Sequence, residues 1–304
     1  MAPPQSDNQI SAFSDSDRLM PGQSEKFDVI EGEYIVIFKN QFDSVFSDQV
    51  ARRVSEVRQE LQNKYQISDQ SIFSRWQRTT KGFAAKLDSN QVDKLKNDPR
   101  VARVKPNIYY RITSNEIYNS EFIPEDTRKF SRDISSNQVI PWGVERVNGP
   151  YNASGKTAWI MDSGIDLDHP DLNVDLSRSI SFIDGVGPED FNGHGTAVAG
   201  ILAAIDNNTD VAGVAAGAMV VSVKVCQNAF PFPLCPKSSV LSGIEFVSSN
   251  ALNHDIVNFS IGSTPDPDLD NAVLTAAQSG IRFAIGAGND SQDATMFLLQ
   301  ELII

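Results

Sequence analysis

The chain has 304 residues and is 40% hydrophobic, enough for two folded units with buried cores. Lys and Arg number 26 against 39 Asp and Glu, and the net charge of −13 argues against nucleic acid or an anionic membrane as partner. No apolar run is long enough to span a bilayer. Residues 1–30 lack the basic start and apolar centre of a secretion signal, so the chain is expected to be intracellular or to lack its true amino end.

In chain order, residues 1–30 are rich in Ser, Asp, Pro and Gln and read as a disordered arm. Tyr34 to Lys39 is an apolar strand, and Val50, Val54, Val57 and Leu61 recur at helical spacing. Ser71 to Arg78 and Gly82 to Leu87 read as strands joined by a Thr-Lys-Gly turn. Asp88 or Ser89 then caps a short helix holding Val92 and Leu95, and Val101 to Lys105 closes the set. Over residues 31–106 the order βαββαβ predicts a ferredoxin-like α+β domain with a core of its own. Residues 107–138 are charged and weakly periodic, an expected exposed linker whose end near Ser135-Ser136-Asn137-Gln138 is open to processing.

From 139 to 294 strands and helices alternate. Ala158–Asp162, Met219–Lys224, Ile256–Phe259 and Arg282–Gly286 read as strands. Helices start at His194 and run through Val240, Ile244, Val247 and Ala251 and through Leu269, Val273 and Ala276. Such alternation predicts a parallel, doubly wound α/β sheet with helices on both faces. The chain closes on an apolar tail, residues 295–304.

Asp162 ends an apolar strand and is followed by small residues, which sets a carboxylate at the carboxyl edge of a parallel sheet, where open α/β folds hold their sites. His194, flanked by glycines, opens a helix with its ring free of neighbouring side chains. An Asp and a His so paired can orient and charge an imidazole. Cys226 and Cys235 bracket a Pro-rich turn and are read either as a small disulfide loop or as two free thiols. Asn152-Ala153-Ser154 is a glycosylation triplet in a turn, too short a pattern to decide anything. His254 reads as a packing or solvated residue near a helix end, and no His/Cys cluster has zinc-ligand spacing.

Several runs in series resemble the subtilisin-like serine proteases. They are Asp162-Ser163-Gly164-Ile165-Asp166, His169-Pro170-Asp171-Leu172, and Asn192-Gly193-His194-Gly195-Thr196 followed by Val198-Ala199-Gly200. Ile140 to Val144 resembles that family's mature amino terminus, Val257 to Gly262 its cleft strand and Ala287-Gly288-Asn289 its oxyanion loop, while residues 33–105 resemble its inhibitory propeptide. The resemblance implies an endopeptidase with His194 as base, Asp162 as its orienter and Asn289 as oxyanion donor. Ser260, Ile261 and Gly262 would pair with substrate backbone.

Gln138, Asp171, Ile205, Asn207, Thr209 and Val211 match positions that bind calcium in many members, against the alternative of an Asn/Asp turn that needs no ion. Implied partners are protein or peptide substrates and the chain's own propeptide in cis, in a monomer of secreted or endomembrane/vacuolar destination, with no nucleic acid and no membrane.

The sequence departs from the pattern in two places. The run that carries the family's serine nucleophile is absent; the resemblance fades after Asp293-Ala294, and Ser222, Ser260 and Ser291 stand in other settings. A truncated, inactive member is therefore expected. Ala197 also stands where a second His is frequent. The competing reading is a noncatalytic inhibitor or folding chaperone acting in trans through Tyr34 to Lys105. An acid-acting relative with Glu for His is disfavoured, because His-Gly-Thr is intact.

Overall fold

The computed structural model describes residues 29–39, 47–112, 138–229, 233–253, 255–262 and 265–287. The linker from 113 to 137, Asn289, His254 and the apolar tail lie outside the described residues.

The first unit is β1 (Val29–Phe38), α1 (Asp48–Tyr65), β2 (Ile72–Trp76), β3 (Gly82–Lys86), α2 (Ser89–Lys96) and β4 (Val101–Ile112). Helix α1 begins where the Ser47 hydroxyl accepts the Val50 N–H at 3.2 Å, and it buries Val50, Val54, Val57 and Leu61. In α2 the Asp88 carboxylate and the Gln91 side chain satisfy each other's backbone N–H groups, a complete capping box. The strands are antiparallel, with β1 between β4 and β3 and β2 beyond β3. Gly82 is required because a side chain there would overlap the Val36 carbonyl.

The second unit holds α3 (Trp142–Arg146), β5 (Thr157–Asp162), β6 (Asn173–Val174), β7 (Ile180–Ser181), α4 (His194–Ala203), β8 (Met219–Lys224), β9 (Leu234–Pro236), α5 (Lys237–Asn250), β10 (Ile256–Phe259), β11 (Ile261–Gly262), α6 (Pro267–Gln278) and β12 (Arg282–Ile285). Its main sheet runs β12-β10-β5-β8-β6, with parallel neighbours throughout and β7 also on β8. Strand β5 is buried along nearly its whole length, as a parallel strand covered on both faces must be.

Two findings amend the sequence expectations. Strand β4 does not close at Lys105 but runs on to Ile112 through the start of the expected linker. Tyr109, Tyr110 and Arg111 pair with β9, while Arg111 and Ile112 pair with β11, so partners in the second unit create a strand that local periodicity did not signal. Nor is the first unit's sheet covered by its own helices alone. Val36, Phe38, Phe83 and Ala85 face α1 and α2, but Ile35, Ile37, Trp76 and Ala84 join one apolar cluster with Val240, Leu241, Ile244, Phe259 and Leu269 of the second unit.

Candidate functional site

The carboxyl edge of the parallel sheet gathers the chemistry. Register places Met161 opposite Phe259 and Phe259 opposite Ile285, so Asp162, Ser260 and Gly286 leave adjacent strands at the same level. Asp162 is fully buried, and its Oδ1 lies 2.8 Å from Nδ1 of His194, whose side chain is 16% exposed. The Ser163 N–H donates to the same oxygen at 2.6 Å, which fixes the carboxylate's orientation.

His194 reaches this position because α4 starts there. Gly193 takes φ +96 ahead of it. A side chain on Gly195 would overlap the Gly164 carbonyl, so only glycine lets the helix approach β5 this closely.

Sequence reasoning passed over two residues that hold the pair. Gly193 provides no capping side chain to α4. The Asp190 carboxylate takes over instead, accepting the N–H groups of Asn192, Gly193 and Thr196 at 2.9–3.0 Å and the Thr196 hydroxyl at 2.6 Å. Ser163, next to Asp162, donates its hydroxyl to Asp190 at 3.0 Å and accepts the Gly195 N–H at 3.0 Å. One carboxylate therefore ties the end of β5 to the start of α4. The available signal was an acidic residue four positions ahead of His194 at a helix start, the setting of an anionic cap. Beneath them Lys224 is fully buried, with its ammonium on the Ser163 carbonyl, and burial lowers its pKa.

Burial alone would lower the pKa of His194, but the hydrogen bond and charge of Asp162, with help from Asp190, outweigh it and leave the imidazole raised above 6.5. The sign follows: the pair's contribution to stability is complete below about 6.5 and is lost as pH rises through the higher folded value. An NMR titration of the His194 C2 proton is expected to have its midpoint above that of the unfolded chain; a midpoint at or below it would contradict the geometry.

Ile261 and Gly262 form a short strand whose partners are Ile112 and Arg111, while Ser260 accepts the Asn258 side-chain amide at 2.9 Å. The first unit thus lays its own backbone along the strand expected to receive peptide, between β11 on one side and β9 on the other. Cys226 and Cys235 are joined as a disulfide, which resolves the two readings of that pair and fastens β9 to the end of β8.

All six residues expected to hold calcium come together. The Gln138 side-chain nitrogen donates towards the carbonyls of Ile205, Thr209 and Val211 at 2.8, 3.2 and 3.2 Å, and its oxygen accepts the Asn207 N–H at 3.1 Å. Asn207 donates to Asp171 Oδ1 at 2.7 Å, leaving the buried Asp171 Oδ2 with no hydrogen-bond partner among the described residues.

Comparison with known proteins adds family to geometry. The model of the subtilase family matches residues 155–299, and that of the peptidase inhibitor I9 family matches residues 33–113. Subtilisin E of Bacillus subtilis (strain 168) is 30% identical over 291 residues, covering 93% of this chain and 65% of the relative. Alkaline serine exoprotease A of Vibrio alginolyticus is 28% identical over 280 residues, covering 87% of this chain and 47% of the relative. The chain therefore spans 65% or less of the length of these relatives. Among solved structures, fervidolysin from Fervidobacterium pennivorans, a keratinolytic enzyme related to subtilisin, has the same fold at a TM-score of 0.58 and 17% identity, over 89% of this chain and 41% of that one. With both family models in series and a buried Asp162–His194 pair at the sheet edge, the chain belongs to the subtilase family and carries an I9 propeptide segment ahead of its subtilase segment.

Proposed function

We propose that this chain is the precursor of a subtilisin-like serine endopeptidase whose propeptide segment occupies its own peptide cleft. The observation that carries the reading is the seating of β4 between β9 and β11, at the sheet edge that holds Asp162 and His194. An extended substrate would add to β11 in the same manner, its backbone bonded and its side chains sorted by the pockets. His194 would take the proton from a serine hydroxyl and return it to the leaving amine. Asp162 would hold the tautomer and balance the imidazolium, and Asn289 would donate to the oxyanion. The packing of the propeptide on its own chain favours action in cis over an inhibitor in trans.

No serine hydroxyl bonds the His194 ring among the described residues. We therefore expect these 304 residues alone to hydrolyse peptides no faster than the residual rate of a nucleophile-deleted site. Incubation with a serine-directed phosphonate should leave the mass of the polypeptide unchanged, and covalent labelling would sink the expectation. The Cys226–Cys235 disulfide supports an oxidising destination.

A structural calcium is part of the same proposal. The donor set is all hard oxygen, and two features call for a cation: three carbonyls converge on one amide nitrogen that carries two protons, and Asp171 Oδ2 is buried without a partner. Side-chain oxygens of Gln138, Asp171 and Asn207 and the three carbonyls would hold the ion. Bound there, calcium would supply positive charge that fastens residue 138 to the 205–211 loop. Saturating calcium is expected to stabilise the fold by about 3 kcal/mol at 100 times its Kd, a rise of several degrees in Tm over a chelated sample. Asp171→Asn should abolish that difference.

A further inference from the structure

The peptide cleft contains a side-chain pocket with a buried, charged floor. Tyr110, opposite Cys235 in the β4–β9 ladder, is only 2% exposed. Its hydroxyl donates to Asp266 Oδ2 at 2.7 Å. Asp266 also accepts the Lys237 ammonium at 2.6 and 2.8 Å and the Asp268 N–H at 3.0 Å, and Lys237 in turn reaches Asp268 at 2.8 Å. Lys237 is 2% exposed and starts α5 directly after β9, while Asp266 caps α6 directly after the β11 region. The polar floor thus belongs wholly to the subtilase segment.

Resting on the reading of this cleft as a peptide-binding site, we infer that the pocket selects a tyrosine side chain at the strand position of Tyr110, through the phenol hydroxyl and Asp266. The ladder on either side is backbone pairing, which any extended peptide reproduces. Side chain alone distinguishes one peptide from another here. A phenol ring packs into the apolar cluster around it while its hydroxyl donates a hydrogen bond to Asp266 at the floor. A phenyl ring occupies the same space but removes one of the two donors on Asp266 Oδ2, leaving that oxygen with the Lys237 ammonium alone. Sites built to bond a hydroxyl reject the analogue that lacks it far more strongly than apolar pockets reject a change of one methylene.

The two carboxylates of the cluster do different work. Asp268 is held from outside by the Arg103 guanidinium of β4, so its partners change when the propeptide leaves. Asp266 keeps Lys237 in either state and stays ionised: burial pushes its pKa up, but the Lys237 charge and its hydrogen bonds hold it below the ordinary carboxylate value. Burial and the neighbouring Asp266 charge both push the Tyr110 pKa up, so the phenol keeps the proton that it donates.

The test removes the phenol and offers it back. In the full chain Tyr110→Ala leaves a phenol-sized space with an apolar surround and the Asp266 carboxylate at its floor, and engineered cavities with apolar linings take up small aromatics. Phenol is expected to raise the Tm of this variant and to bind about 10- to 100-fold tighter than benzene, as one hydrogen bond to a charged group implies. Neither probe should affect the parent chain. Adding Asp266→Asn, which keeps the α6 cap, should narrow the gap between the probes.

Equal binding of phenol and benzene, or binding of neither to the folded variant, would overturn the inference. Should Tyr110→Ala fail to fold, Tyr110→Phe decides. Amide exchange along β4 is expected to speed by about 10- to 100-fold, and unchanged exchange overturns the inference. None of these measurements involves bond cleavage, so failure of the endopeptidase reading would show separately, in a peptide-hydrolysis assay of the protein purified from its source.

Discussion

Replacing Glu245 with alanine is expected to loosen the propeptide from the rest of the chain by about 3 kcal/mol, roughly 100-fold in the docking equilibrium. Glu245 lies on α5, and its carboxylate collects the N–H groups of Gln77, Arg78 and Thr79 at 2.7, 2.7 and 2.9 Å and the Thr79 hydroxyl at 2.8 Å. Four donors from one turn thus converge on a single anion. Alanine would remove that shared anionic acceptor from four part-buried donors, whereas glutamine keeps one carbonyl oxygen and should lose less. Protease nicking and amide exchange in the β2–β3 turn report the change. Similar exchange in the alanine variant and the parent would mean that the carboxylate is dispensable and that the apolar cluster around Trp76 does the holding.

The second large effect is expected at Asp190. Alanine removes the acceptor for five donors and uncaps α4 at the turn that bears His194. The expected loss is about 2 kcal/mol, that of a helix cap whose part-buried and exposed N–H groups are left to water. Burial would raise this carboxyl, but hydrogen bonds from Thr196 and the backbone outweigh it and lower its pKa. Its contribution is therefore complete above the ordinary carboxylate value near 3.8 and is lost only as pH falls through the lower folded value.

Placement of the imidazole gives a readout that stability alone does not move. In a folded Asp190→Ala or Asp190→Asn variant, the His194 titration midpoint should fall towards 6.5 as the Asp162 contact lengthens. A variant that melts early but titrates as the parent does would limit Asp190 to a structural role.

Much of this architecture was legible in the sequence because its signals are local. Val50, Val54, Val57 and Leu61 at helical spacing, the cap of α2 at Asp88 and the strands Met219–Lys224 and Ile256–Phe259 need no distant partner to be read. The Asp162–His194 contact was legible through motif, each residue closing or opening an element at the same sheet edge.

What escaped was tertiary. Residues 106–112 become strand only because β9 and β11 supply partners. Asp190 acts through hydrogen bonds to a neighbouring loop and helix, invisible to periodicity. The run Tyr34 to Phe38 did hold a clue: it is continuously apolar where a sheet with one wet face would alternate, and Ile35 and Ile37 are buried against the second unit while Val36 and Phe38 are buried against α1 and α2.

The apolar cluster shared by the two units also bears on how the chain acquires its shape. Ile35, Ile37, Trp76 and Ala84 are withdrawn from water only when α5 and β10 are in place, and α5 loses its cover when the β1–β3 sheet is missing. Each unit is thus the other's solvent shield, and neither gains its full burial free energy alone. Contacts between residues more than a hundred positions apart, such as Trp76 with Ser242, must form late and at high loop-closure entropy. The border between the two family matches is consequently not a border in the apolar core: one face of the I9 sheet is buried as a layer against the subtilase unit.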